Sequence, residues 1–88
     1  MIFQIEMAPR ALADLATLDE IAARRIAGKL RFFAAQQNPL RFAKRLTGSA
    51  QGEYRFRVGD YRILFDVNRS RVITILFILR VKHRREAY

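Results

Sequence analysis

The chain contains no cysteine. That excludes a disulfide framework and any thiolate metal site. Its only histidine is His83, so a histidine-rich metal centre is excluded as well. No apolar run is long enough to span a bilayer. The N-terminal Met1-Ile2-Phe3-Gln4-Ile5-Glu6 has neither the basic start nor the long apolar segment of a secretion signal. No carboxylates cluster in the way a two-metal nuclease requires, and Asp60 and Asp66 read as turn and strand-end residues. Repeats and low-complexity segments are absent too. These gaps predict a cytoplasmic protein that works without a metal or other cofactor.

Acidic residues are scarce, with 8 Asp and Glu against 17 Lys and Arg and a formal net charge of +9. Their distribution is uneven. Five basic and four acidic residues fall within positions 1–40, and twelve basic and four acidic residues within positions 41–88. The excess therefore belongs to the C-terminal half. A footprint of this kind favours a polyanion or an acidic protein partner. A solvated surface that keeps a small protein soluble is the plainer alternative.

At 88 residues, 51% of them hydrophobic, the chain is expected to form one domain over residues 1–88. A chain this short buries only about 60–65% of its unfolded surface, so its core must be used efficiently. Ile2 to Glu6 alternates in polarity, which predicts a strand with one buried face. Pro9 is suited to the first position of a helix that carries Leu12, Leu15 and Leu18. Asp19 is a good N-cap for a second helix, with Glu20 in its first turn. Ile21, Ala22, Ile26, Leu30, Phe33 and Ala34 give that helix an apolar stripe, and Asn38-Pro39 stops it. Arg24, Arg25, Lys29 and Arg31 lie mostly off the stripe and read as a solvated face. Leu40 to Gly52 reads as a loop, with Leu40, Phe42 and Leu46 tucked inward and Arg41, Lys44 and Arg45 outside.

The most informative stretch is Glu53 to Phe65, two short strands joined at Gly59-Asp60. Alternation puts Tyr54, Phe56 and Val58 on one face and Arg55 and Arg57 on the other. Beyond the turn, Arg62, Leu64 and Asp66 oppose Tyr61, Ile63 and Phe65. A suitable register would bring Arg62 beside Arg55 and Arg57. Three guanidinium groups on one face favour an anion between them. Val72 to Leu79 is apolar on both faces, which predicts a strand in the middle of a sheet, covered on both sides. The basic tail from Arg80 to Tyr88 then begins where that strand ends. The expected fold class is α+β, in the order β-α-α-β-β-β, with a helical hairpin on a small, mostly antiparallel sheet.

Arginine forks match phosphate oxygens. Tyr54, Tyr61 or Tyr88 could stack on bases, although half-buried strand packing is the preferred reading of the first two. A ribonuclease that uses the substrate's own 2′-hydroxyl needs a proton acceptor, cations for the charge on phosphorus and a proton donor for the leaving oxygen. Arginines, Lys82, His83, Glu86 and Tyr88 are the available parts. Tyrosine has an ordinary pKa near ~10, and neighbouring cations would lower it.

The segments LTGSAQGEYRFRVGDYRILFDV and VITILFILRVKHRREAY resemble the RelE/ParE superfamily of type II toxin–antitoxin toxins, and nearly the whole chain fits. The resemblance implies a RelE-like fold. Arg55 and Arg57 match residues that bind and activate the RNA backbone, and Arg62 matches the arginine that stabilises the pentavalent phosphate. Arg84 matches the donor to the leaving 5′ oxygen and Tyr88 the general base. His83 is a further candidate acid or base, or else a surface residue. Lys44, Arg45, Lys82 and Arg85 are the remaining candidates for RNA contact. Arg55 and Arg57 are arginines where the best-studied members have lysine, and Lys82 replaces a glycine. The arrangement is closer to RelE-type toxins, which cleave mRNA in the ribosomal A site, than to ParE-type toxins, which poison gyrase. The resemblance thus implies a ribosome-dependent, metal-independent endonuclease. Its expected partners are the 70S ribosome, mRNA and an acidic, amphipathic antitoxin encoded beside it. A gyrase inhibitor or an inactive, antitoxin-bound repressor module are the alternatives.

Overall fold

The computed structural model describes residues 2–48 and 52–86. Strand β1 (Ile2–Met7) leads into helices α1 (Pro9–Ala16) and α2 (Glu20–Ala34). A 3-10 turn (Pro39–Phe42) and strand β2 (Ala43–Arg45) follow, then β3 (Tyr54–Val58), β4 (Tyr61–Arg69) and β5 (Ile73–His83). The sheet order is β1-β5-β4-β3-β2. β1 runs parallel to β5, and the other three pairings are antiparallel. The α+β class and the helical hairpin on a mostly antiparallel sheet are as expected from the sequence.

Local chemistry explains the boundaries. Pro9 opens α1, where a missing N–H costs nothing. The Asp19 carboxylate caps α2 by accepting the Ala22 N–H at 2.8 Å. Asn38 accepts the Leu40 N–H at 3.2 Å and starts the 3-10 turn. Gly59 has φ 58°, the left-handed value a two-residue hairpin requires.

The core lies between the helices and one sheet face. Ala11, Ile26, Leu30 and Phe33 come from the helices, while Phe56, Val58, Ile63, Phe65, Leu76, Ile78 and Val81 come from the sheet. Phe33, Phe56 and Phe65 stack at centroid separations of 4.2 and 4.4 Å. Each fully buried aromatic stabilises the fold by about 1.5–3 kcal/mol.

Four expectations are corrected. The stretch from Leu40 to Gly52 is not simply a loop, because its Ala43–Arg45 segment adds a fifth strand against β3. Within the adjoining turn, Phe42 is 47% exposed rather than tucked inward. It rests edge-on against Phe32 and tilted against Phe33, at the rim of the buried stack. β5 lies inside the sheet, paired with β1 and β4, but it is not covered on both faces. β4 occupies the middle, and the helices form a single layer, so Thr74, Leu76 and Ile78 are buried while Phe77 stays exposed. β5 also continues to His83, which makes Arg80–His83 strand residues rather than a tail.

Candidate anion-binding face

The face opposite the helices is set by strand register. Arg57 pairs with Arg62, and Arg62 pairs with Lys82, which gives a transverse row of three cations across β3, β4 and β5. Two residues along, Lys44 pairs with Arg55, Arg55 with Leu64 and Leu64 with Arg80. Partners in a ladder share a face, and so do residues two apart. The two rows therefore surround Leu64, which is fully buried despite lying on the side away from the helices. Unlike charges stabilise such pairs and like charges destabilise them. At roughly 5 Å in water each like pair costs about 1 kcal/mol. A bound anion reverses the sign of that term.

The β3–β4 turn fixes two of the arginines. Arg62 donates through Nη1 to the carbonyls of Gly59 and Tyr61, both at 3.3 Å. The Arg84 backbone N–H donates to the Asp60 carbonyl at 2.7 Å, and its Nη1 lies 3.7 Å from Asp60 Oδ1. Gly59-Asp60 is thus a shared anchor for Arg62 and Arg84. Asp60 reads from sequence as a turn residue only, and its hold on Arg84 depends on a β5 end 24 positions later, which no local pattern reveals.

The other candidates separate. His83 pairs with Tyr61, and the two rings meet edge-to-face at 5.6 Å. Tyr61 packs against the core, so His83 lies on the helix side of the sheet and not beside Lys82. Its Nδ1 accepts the Arg85 N–H at 3.3 Å. Arg85 is in the exposed turn after β5. Arg45 sits 5.8 Å over the Tyr54 ring, away from the rows. Tyr54 itself stacks on Phe65, as strand packing requires. Tyr88 lies outside the described residues.

Nearby carboxylates are engaged by backbone. Asp66 accepts the Glu53 N–H at 2.9 Å, and Glu53 accepts the Val67 N–H at 3.0 Å. Asp14, on α1, takes Arg80 Nε at 2.8 Å, Arg80 Nη2 at 3.1 Å and the Val81 N–H at 2.8 Å. Burial pushes the Asp14 carboxyl up, but the bonds from Arg80 and Val81 and the charges of Arg80 and Arg10 outweigh it, and the net shift is downward. The bond to Asp14 raises Arg80 above its already high value. Sequence reading missed both residues, because they are 66 positions apart.

Chemically, the rows can hold a phosphate backbone and stabilise added negative charge on it. Guanidinium groups are poor proton acceptors and donors, so proton transfer must be supplied from elsewhere.

Comparison with known proteins agrees with the fold. The family model described as the ParE toxin of type II toxin–antitoxin systems, parDE, matches residues 5–88. No curated protein matches. The RelBE2 toxin–antitoxin complex of Mycobacterium tuberculosis contains a chain with 29% identity and a TM-score of 0.67, covering 96% of this chain and 100% of that one. A chain of the archaeal RelE–RelB complex of Pyrococcus horikoshii OT3 has 23% identity and a TM-score of 0.69, covering 99% and 100%. The second likeness is one of fold.

Proposed function

This chain belongs to the ParE toxin family of type II toxin–antitoxin systems, and we propose that it is an endoribonuclease toxin that cleaves translated mRNA on the ribosome. The observation that carries this reading is the Arg57–Arg62–Lys82 row, in register on the face the helices leave open. In the proposed reaction the 2′-hydroxyl loses its proton to a general base and attacks the adjacent phosphorus. The P–O5′ bond breaks, the 5′ oxygen takes a proton from water, and a 2′,3′-cyclic phosphate and a 5′-hydroxyl result. Arg55, Arg57 and Lys82 hold the backbone. Arg62 stabilises the extra charge on phosphorus, where fixed donors act most strongly. Arg84, held at the same turn as Arg62, stands beside the leaving oxygen, and Tyr88 is the proposed base. The ribosome supplies the substrate geometry that the open face does not impose.

The proposed partner is a cognate antitoxin with an acidic segment. The Mycobacterium tuberculosis relative is a toxin–antitoxin complex, and a face this basic suits an acidic cover.

Primer extension on a translated message tests the reading. Codon-phased cuts are expected, and Arg62→Ala is expected to slow them by on the order of 10²-fold or more. An unchanged rate removes Arg62 from the mechanism. A second reading, gyrase inhibition without cleavage, is favoured by the identity of the matching family model and by the placement of His83 away from the row. It predicts trapped gyrase–DNA complexes and no codon-phased cuts.

A further inference from the structure

Register gives the second row a third cation that the face does not use. Arg80 pairs with Leu64 and would extend the line from Lys44 through Arg55. Its guanidinium is instead bound by both Asp14 carboxylate oxygens, at 2.8 and 3.1 Å. The side chains are 25% and 18% exposed, so this pair is well shielded compared with a surface ion pair.

Topology explains why Asp14 is there. β1 pairs with β5 only as far as Met7 and Ile78. Beyond that point β5 has lost its outer neighbour, and α1 runs past it. Asp14 accepts the Val81 N–H that a longer β1 would have received. The ladder between β4 and β5 also shifts register at Leu64/Phe65, next to this site. One carboxylate thus closes an open strand end and captures a cation.

We propose that Asp14 is a positioning residue of the anion-binding face: by holding Arg80 against α1, it withdraws that guanidinium and leaves the grip on a phosphate backbone to Lys44, Arg55, Arg57, Arg62 and Lys82. The backbone is then directed along the Arg57–Arg62–Lys82 row instead of being shared between two complete rows. The lowered Asp14 pKa agrees with this geometry, since the carboxylate stays charged and keeps Arg80 throughout the neutral range. The proposal rests on the face binding a phosphate backbone and not on cleavage.

The test is the salt dependence of binding to a uridine dodecamer, read by fluorescence anisotropy, with a heparin oligosaccharide as a second probe. Each single-strand phosphate neutralised contributes about 0.7 to the slope of log K against log salt. Asp14→Ala, folded by circular dichroism, is expected to steepen the slope by about 0.7 and to tighten binding about 5-fold at 0.1 M salt. Arg80→Ala alone is expected to leave the slope unchanged. The double variant is expected to return it to the parent value, whereas a purely structural role for Asp14 would lower the melting temperature without steepening the slope. An unchanged slope in folded Asp14→Ala overturns the proposal, as does a steeper slope that persists in the double variant. If Asp14→Ala does not fold, Arg80→Ala decides alone: a slope reduced by about 0.7 means Arg80 already grips the anion and the proposal fails. Heparin binding without dodecamer binding would count against the RNA reading, while the same comparison of slopes on heparin would still judge Asp14.

Discussion

Gly59 shows how much one residue position decides. Its φ of 58° places it where a side chain is disfavoured by about 1–2 kcal/mol. A Cβ there would also meet Arg25 Nη1 at 3.0 Å. Gly59→Ala is therefore expected to lower stability by about 1–2 kcal/mol in chemical denaturation, and to slow the proposed cleavage because Arg62 donates to the Gly59 carbonyl. Asp14 gives a prediction in pH. Its carboxyl titrates lower in the folded chain than its ordinary value near ~3.9. The stability it contributes is thus complete above that ordinary value and is lost as pH falls through the lower folded one. Asp14→Asn should cost about 2 kcal/mol at pH 7, where a charge-assisted bond is lost. The gap from the parent should narrow as pH falls below about 4. A gap that stays constant down to pH 2 would mean the Asp14 charge is not the cause.

Elements differ in how readily the sequence reveals them. α2 was legible because its cap, its apolar stripe and its Asn38-Pro39 stop all agree, and the β3–β4 hairpin because alternation and Gly59-Asp60 agree. β2 was not, since three residues are too few to show a period and its partner strand begins nine positions after it ends. β5 misled because a run apolar on both faces resembles a strand covered twice. Here its second face is only partly shielded. The same distinction separates two phenylalanines. Phe33 is buried in the stack, and Phe33→Ala is expected to cost about 3–5 kcal/mol. Phe42→Ala, at the exposed rim, should cost less than about 1 kcal/mol in the same denaturation experiment. Of the site, Arg55, Arg57 and Arg62 were legible on one face from alternation. The role of Lys82 in the row, the turn of His83 to the other face and the Asp14–Arg80 pair depend on long-range register.

For the molecule as a whole, charge and fold divide the labour by side. The helix layer seals the core, and the opposite face collects cations from β2, β3, β4 and β5. If four of these grip a single strand, affinity for RNA should fall on the order of 50-fold between 50 and 200 mM salt. Arg24, already paired with Glu20 on α2, should leave that slope unaltered when replaced by alanine. No helix among the described residues is long and apolar enough to cross a membrane. The first strand to be synthesised lies alongside the last, as the parallel pairing of Ile2–Met7 with Ile73–Ile78 shows. A chain still being translated lacks the strand that joins β1 to the rest of the sheet, and with it Lys82. The sheet is therefore closed only once its last strand has been made.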